Sequence, residues 1–539
     1  MKLNLDSLKN NEVLYKEKNV KLPQFDVKKM REKTAVNPTW LHFGAGNIFR
    51  GYIALLQQSL LDEGIAETGI IAADSFDYEI IDCVYHAYDE LSLFVGLKPD
   101  GNCEKQVVGS ISESLKADSG DAKAFARLIE IAKAPSLQMM SFTITEKGYQ
   151  LFDMKGNAFP VVVEDEKNGI ENPKHACAMV ASLLYHRFEN GAAPIAIVSM
   201  DNCSHNGEKI RESVLHFAKV WRENSLVDQA FVDYVADETK VAFPWSMIDK
   251  ITPRPDASIQ KSLEEDGFED MAPFTTGKNT FIAPYVNAEI PQYLVIEDKF
   301  PNGRPALEKA GVYFTDRDTV NCTERMKVTT CLNPIHTALA VTGCLLGYHK
   351  IADEMKDADL KALAECVGMK EGLPMVVSPK IIDPAAFIKE VLEERLPNPF
   401  IPDMPQRIAT DTSQKVGIRF GETIKAYEKV NRQQELKAIP FAIAAWLRYL
   451  LGKDDNWVTM EISSDPMLEV LQKDLSTIKL GESNPNLDGV REILSNDKLF
   501  GTNLVANGMS TLIEEYFVKM LAKEGAVRET LQEAVGSIQ

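Results

Sequence analysis

An apolar strand that runs into Gly44-x-Gly46 and then into an amphipathic segment constrains this chain more than any other feature. The stretch is Trp40-Leu41-His42-Phe43-Gly44-Ala45-Gly46-Asn47-Ile48-Phe49-Arg50-Gly51. A strand, a glycine turn and a helix in that order build the first unit of a dinucleotide-binding fold. Gly44 permits the tight turn, and Gly46 permits close approach of a pyrophosphate. Asn47 and Ile48 open the helix, where N–H groups and the positive dipole end favour an anion. The pattern departs from GxGxxG: Phe49 stands where a third glycine is usual, and Gly51 follows two residues later. The next strand-like run, Ile70–Ala73, ends in Asp74, with Asp77 close behind. An acid roughly 20–30 residues past the glycines suits a ribose 2′-OH and disfavours a 2′-phosphate, so the expected cofactor is NAD. The competing reading of both acids is a solvated loop.

From residue 39 to about 200, apolar runs alternate with helical stretches. Strands are expected at Leu41–Phe43, Ile70–Ala73, Met139–Ile144 and Pro194–Met200, and helices at Ile48–Asp62, Lys123–Ala132, Ala176–Phe188 and Gly207–Asn224. Such alternation predicts a parallel sheet with helices on both faces. Residues 1–38 read as a polar preamble, and 240–300 as an irregular completion of the same domain. The segment Phe300-Pro301-Asn302-Gly303-Arg304-Pro305 is a boundary signal. Beyond it, apolar positions recur at helical spacing in Ala338–Leu346, Leu360–Val367, Pro384–Leu392, Phe441–Leu451 and Met509–Leu521. The expected fold class is α/β plus all-α. A Rossmann-type doubly wound domain spans 1–305, and a helical substrate-binding and catalytic domain spans 306–539. An enzyme so divided is expected to react its substrate in the cleft between the two domains.

Composition narrows the function. With 45% hydrophobic and 26% charged residues the chain is of ordinary globular type. A net charge of -20 disfavours nucleic acid. The start, Met1-Lys2-Leu3-Asn4-Leu5-Asp6, lacks an apolar core and does not read as a signal peptide. The longest apolar run, Ala438–Leu451, is short for a membrane span and contains Arg448. The eight cysteines are scattered with no CxxC pair, so they read as reduced thiols of a cytoplasmic protein. No HExxH or Cys/His ligand spacing occurs, so no metal is expected. His42 reads as a packed core residue. Nothing distinguishes a monomer from a small homo-oligomer.

The segment Glu324-Arg325-Met326-Lys327-Val328-Thr329-Thr330-Cys331-Leu332-Asn333-Pro334-Ile335-His336-Thr337 places an amine, an amide and an imidazole in an apolar stretch. Apolar surroundings disfavour the charged form of an amine, which is how a lysine becomes a base near neutral pH. Amide and ring N–H groups can hold an oxygen as its charge changes. A buried structural knot is the other reading of this cluster.

Further segments place the chain beside a known family. They are Thr143-Ile144-Thr145-Glu146-Lys147-Gly148-Tyr149; Ser199-Met200-Asp201-Asn202 leading to His205-Asn206-Gly207; and Phe243-Pro244-Trp245-Ser246-Met247-Ile248-Asp249-Lys250-Ile251-Thr252-Pro253. To these are added Arg395-Leu396-Pro397-Asn398-Pro399-Phe400-Ile401-Pro402-Asp403, Arg407-Ile408 and Asp411-Thr412-Ser413-Gln414-Lys415. With the glycine loop and the Lys327 cluster they resemble the mannitol dehydrogenase family of long-chain, metal-independent polyol and hexonate dehydrogenases, over residues 38 to 430. The resemblance implies a Rossmann-type domain followed by a helical domain. It implies Lys327 as general acid/base, Asn202 and Asn333 as the alkoxide site, and His336 as an orienting group. It further implies Glu146 on a proton path to solvent and Asp249 against substrate hydroxyls or Lys327.

Other readings of these residues are a surface acid for Glu146, a helix cap for Asn202, and ion-pair partners for Arg395 and Lys415. Arg395, Arg407, Lys415 and Arg419 are candidates for gripping a substrate carboxylate. The ATDTSQK region and the chain length look most like the fructuronate reductase branch, which implies reversible hydride transfer between NADH and a ketohexuronate. Tagaturonate or mannitol oxidoreduction is the alternative, and a catalytically silent sugar- or nucleotide-sensing protein the alternative of another class. Three departures from the family pattern stand out: Lys250 in place of arginine, Trp245 in place of asparagine, and five rather than four residues between Lys327 and Asn333. One extra residue turns a continuous helix by about 100°. Pro334 offers an escape, with Asn333 as N-cap and Lys327 on a preceding turn.

Overall fold

The computed structural model describes every residue of the chain except Met154, Ser483 and Gln539. The chain forms two compact units. One is Met1–Lys98 with Asn102–Asn321, and the other is Pro99–Gly101 with Cys322–Gln539.

The first unit is built on a six-stranded parallel sheet. Its strands are β1 (Trp40–Phe43), β2 (Ile70–Asp74), β3 (Ile111–Lys116), β4 (Met139–Phe142), β5 (Ile195–Ser199) and β6 (Val241–Ala242). Their order across the sheet is β3-β2-β1-β4-β5-β6, with every neighbouring pair parallel. This is the doubly wound order expected from the alternating pattern, and it reverses between β1 and β4. Ligands of such sheets bind outside the carboxyl ends of the strands at that reversal. Both faces are covered, so the strands read as continuous apolar runs. Leu41, Phe43, Ile71 and Ala73 point into one core, and Trp40, Ile70 and Ala72 into the other.

The expected helix Ile48–Asp62 is not regular. It opens as a π-helical turn, Phe49–Ile53, and becomes α-helical at Ala54–Asp62. Gly51 lies in that turn, and a Cβ there would come within 2.7 Å of Val286 Cγ1. Close packing, the task of the third glycine in the usual motif, therefore falls on Gly51. Residues 240–300 are also more ordered than expected. Ser246–Asp249 pairs antiparallel with Tyr293–Glu297, and Tyr285–Glu289 pairs parallel with Ser92–Leu97. Their partners lie far along the chain, so the local pattern did not announce them. Tyr313–Thr315 continues the first of these sheets, beyond the Phe300–Pro305 signal.

The second unit is helical in its described residues. The helix Ala438–Tyr449 is buried at every position. Pro440 is its third residue and falls in the turn whose N–H groups lack intrahelical partners. Glu371 supplies the cap from a distance, accepting from Ala438 N at 2.7 Å and Ile439 N at 2.8 Å. Among the described residues no helix is long and apolar enough to cross a membrane.

Candidate active site

The glycine loop follows β1 at the point of strand reversal. Gly44 has φ +105°, and its N–H donates to Ala73 O at 2.8 Å. A Cβ at Gly44 would fall 2.2 Å from Thr143 O, so neighbouring backbone also demands a glycine there. At Gly46 a Cβ would meet nothing within 4 Å, which leaves the open space a pyrophosphate needs beside a backbone turn. The loop is wired from beneath. Buried Arg50 donates to Asn47 Oδ1 at 2.9 Å, to Ala283 O at 2.9 Å and to Ser92 Oγ at 3.2 Å. Burial pulls the Arg50 guanidinium down to about 10.

Asp74 ends β2 and grips the same loop. One carboxylate oxygen accepts from Ala45 N at 3.0 Å, the other from Phe76 N at 2.9 Å and Asp77 N at 2.7 Å. Burial raises its pKa against these three N–H groups, which favour the anion. Asp77 turns elsewhere: it is buried and accepts from Thr276 Oγ1 at 2.6 Å.

His42 is enclosed beneath the loop. Its ring nitrogens lie 2.7 Å from Ser141 Oγ and 2.9 Å from Thr143 Oγ1, and it stacks on Phe49. Burial depresses it to about 3. The folded state then holds His42 neutral while the unfolded chain takes up a proton below about pH 6.5. Its contribution is fully present above that pH and is lost as pH falls toward 3, with a slope approaching 1.4 kcal/mol per pH unit. Denaturant titrations at pH 7, 6 and 5 should show that slope, and His42→Gln should remove up to one proton from it. An unchanged slope in the variant would assign the acid sensitivity to other groups.

Beyond the carboxyl ends of β4 and β5 lies a cavity of about 300 Å³, lined by Ile48, Thr145, Glu146, Met200, Asp201, Asn202, Ile248, Lys250 and Thr252. Asp201 organises it. Its carboxylate accepts from Ile144 N at 3.0 Å, Thr145 N at 2.9 Å and Tyr149 Oη at 2.5 Å. These bonds pull the chain out of the sheet after Phe142, which is why β4 ends short of Ile144. They also hold Thr145 at φ +66°, a conformation a threonine rarely adopts. Glu146 follows on the cavity wall, exposed and 2.5 Å from Lys209 Nζ. Asn202 is exposed. The next helix begins at Asn206, with His205 before it, so Asn202 does not cap it. Asp249 is buried at the end of the strand Ser246–Asp249. Lys250 follows it, donating to Glu289 O at 2.5 Å and Gln292 Oε1 at 3.0 Å.

In the second unit, Lys327 is 3% exposed and opens a π-helical turn, Lys327–Cys331. The wide turn is closed by Leu332 N donating to Lys327 O at 3.1 Å, a five-residue step. It absorbs the extra residue before Asn333, because a π-bulge takes one more residue than the α-helical turn it replaces. Asn333 is then the first residue of the helix Asn333–Leu345, with Leu332 preceding it, rather than the N-cap. His336 follows one turn on, its Nε2 3.3 Å from Asp403 Oδ2. Asp403 also pairs with Arg407. Burial pushes the Asp403 carboxyl up, but His336 and Arg407 outweigh it and hold it below the ordinary value.

Thr337 bridges Asn333 to a cation. Its Oγ1 lies 2.9 Å from Asn333 O and receives Arg419 Nη1 at 2.5 Å. Lys415, one turn before Arg419, donates to Thr410 O. Burial and then the Arg419 charge lower Lys415, and burial alone pulls Arg419 down to about 10. Arg395 is buried in the turn Val391–Arg395.

A family model described as the mannitol dehydrogenase Rossmann domain matches residues 38–309, and one for the mannitol dehydrogenase C-terminal domain matches 319–520. The chain belongs to the mannitol dehydrogenase family. It is 52% identical over 540 residues to a D-mannonate oxidoreductase of Thermotoga maritima, covering 99% of each chain. It is 29% identical to a polyol:NADP oxidoreductase of Gluconobacter oxydans, over 88% of this chain and 92% of the relative. The Pseudomonas fluorescens mannitol 2-dehydrogenase, solved as a ternary complex with NAD and D-mannitol, superposes with a TM-score of 0.68 at 26% identity, covering 99% of this chain and 100% of that one.

Two of the departures from the mannitol dehydrogenase pattern have physical partners. Trp245 stacks on His205 with ring centroids 4.4 Å apart, and the Arg317 guanidinium lies 5.1 Å from the Trp245 ring. Gly207 is obligatory beneath them, since a Cβ would meet Trp245 Cδ1 and Pro244 O at 2.7 Å. Lys250 spends its charge on backbone carbonyls and on the Tyr52 and Phe94 rings, each 5.7 Å away. Sequence reasoning assigned no role to Asp201, Asp403 or Asn206. Asn206 bonds Asp201 O, Ser246 O and Ser246 N, all at 3.0 Å, and so ties the cavity wall to the strand carrying Asp249. For the two aspartates, an acid inside a family motif was the available signal.

Proposed function

We propose that this protein is an NAD-dependent D-mannonate oxidoreductase, interconverting D-fructuronate and D-mannonate by reversible hydride transfer. The observation that carries the reading is the 52% identity with a D-mannonate oxidoreductase over 99% of both chains. The cation pair supports it. Lys415 and Arg419 lie one turn apart, repel each other, and among the described residues make no ion pair. Two partly buried cations without a carboxylate partner suit an anionic substrate better than a neutral polyol. They sit beside the helix that carries Asn333 and His336.

The open space at Gly46 and the acid at the end of β2 fit NAD(H), which when bound supplies the hydride. The protein supplies placement and the proton. In the reductive direction Lys327 Nζ gives its proton to the alkoxide oxygen, and in the oxidative direction it takes the proton back. The Asn202 and Asn333 amides donate to that oxygen as its charge grows, where preorganised donors contribute most. His336, backed by Asp403, orients the substrate. Asp249 meets its hydroxyls, and Arg395 stands as a further cation for its carboxylate. Glu146, exposed at the cavity wall, exchanges the proton with water.

With lysine and two amides in these roles no metal is required, and activity should survive prolonged dialysis against EDTA. Loss of activity that zinc restores would refute this. The function itself is tested with a panel of fructuronate, tagaturonate and fructose, followed by NADH absorbance. Fructuronate should be reduced far faster than the others. Fructose as the better substrate would place the protein with the mannitol 2-dehydrogenases.

A further inference from the structure

The loop after β2 carries an aromatic ring that the chemistry above does not use. Phe76 is 66% exposed, although its backbone N–H is fixed on Asp74 Oδ1. A two-stranded hairpin, Phe274–Thr275 with Phe281–Ile282, is docked onto this loop by its tip. Thr276 Oγ1 donates to Asp77 Oδ2 at 2.6 Å, and Gly277 N donates to Glu79 Oε2 at 2.8 Å. The tip residue Lys278 thereby stands over Phe76, its Nζ 5.4 Å from the ring centroid. Both acids of the loop that face the hairpin are occupied by those two bonds, and among the described residues Lys278 makes no ion pair. An exposed aromatic face and an exposed cation are thus held by hydrogen bonds two residues from the acid that ends β2.

In a doubly wound sheet the adenosine ribose lies at the end of the second strand. We propose that Phe76 and Lys278 form the adenosine side of the dinucleotide site, Phe76 as the stacking face for the adenine and Lys278 as a specificity-determining cation. This rests on the NAD assignment made above. A purine covers an aromatic face whatever its ring substituents. Lys278 acts in opposition to Asp74. Asp74 disfavours a 2′-phosphate, but three backbone N–H groups partly neutralise its carboxylate. A nearby unpaired ammonium then leaves NADP(H) a weak but measurable binder.

The test is calorimetric titration of the full chain with ADP-ribose, NADH and NADPH, for the unmodified protein and for Phe76→Ala, Phe76→Trp and Lys278→Glu, with melting temperatures as folding controls. Phe76→Ala should weaken ADP-ribose and NADH together, by about ten-fold, the size of a lost base–aromatic stack. Phe76→Trp should restore both. Lys278→Glu should lower the ratio of NADPH to NADH affinity at least about ten-fold, by replacing an attraction with a repulsion. Equal ADP-ribose affinity in Phe76→Ala, or an unchanged affinity ratio in Lys278→Glu, would overturn the corresponding half of the proposal while leaving the NAD assignment in place. Failure of the unmodified protein to bind either ADP-ribose or NADH would overturn both.

Discussion

Lys327→Ala should lower kcat by at least about 10²-fold while leaving NADH affinity nearly unchanged, because general acid–base assistance contributes about 10²–10⁴-fold. The structure sharpens this expectation. At 3% exposure Lys327 has given up solvent, which is rare for a lysine. It opens the π-helical turn Lys327–Cys331, and such turns concentrate at functional sites. The turn also sets the spacing from Lys327 to Asn333. Without it, the fifth residue between Lys327 and Asn333 would rotate one side chain away from the other. With it, the helix restarts at Asn333 with the extra residue absorbed. Asn333→Ala should also reduce kcat more than binding, since its donor counts most when charge develops. Stopped-flow measurement of NADH oxidation at saturating fructuronate reads kcat, and fluorescence titration reads NADH binding. If Lys327→Ala keeps most of its turnover, the proton passes through another group, and His336 is the next to test.

The doubly wound sheet was legible because buried parallel strands and amphipathic helices leave period and punctuation in a single sequence. Ile195–Ser199 and Ala176–Glu189 lie within two residues of where their patterns place them. Three kinds of feature left no such trace. The π-helical turns at Phe49–Ile53 and Lys327–Cys331 differ from α-helix by one hydrogen-bond step and carry no propensity signal of their own. Strands such as Cys103–Val108 read Cys-Glu-Lys-Gln-Val-Val, without alternation, and exist because Ser92–Leu97 pairs with them. Anchors that act across the chain are the third kind. Asp201 reaches Thr145 over fifty-six positions, and Thr276 reaches Asp77 over one hundred and ninety-nine. A sequence shows that an acid is present in a motif but not which N–H groups it will hold. That is why Asp74 and Asp77 read alike in the chain, while the fold gives one to the glycine loop and the other to a hairpin.

Substrate choice should follow the two neighbouring cations. Arg419→Ala and Lys415→Ala should each raise KM for fructuronate about ten- to a hundred-fold, as expected for loss of one charge-assisted hydrogen bond of roughly 1.5–3 kcal/mol. KM for a neutral ketose should change far less, since it has no carboxylate to lose. Melting temperature separates this role from a structural one. Lys415 is lowered by burial and by Arg419, so the folded protein holds two like charges against their mutual repulsion. Removing Lys415 relieves that repulsion but forfeits its bond to Thr410 O and its attraction to Asp411 and Asp465, so the melting temperature reads its structural share and the uronate-to-ketose KM ratio its share in binding. Arg419→Ala forfeits its bond to Thr337 Oγ1, so for that variant the uronate-to-ketose KM ratio is the decisive readout. Arg419→Lys should recover only part of the ratio, because an ammonium lacks the fork that matches a carboxylate. An Arg419→Ala protein that still prefers fructuronate over fructose to the original degree would move the carboxylate grip to Arg395 or Arg407. A Lys415→Ala protein whose uronate-to-ketose KM ratio is unchanged would show that this lysine does not hold the substrate.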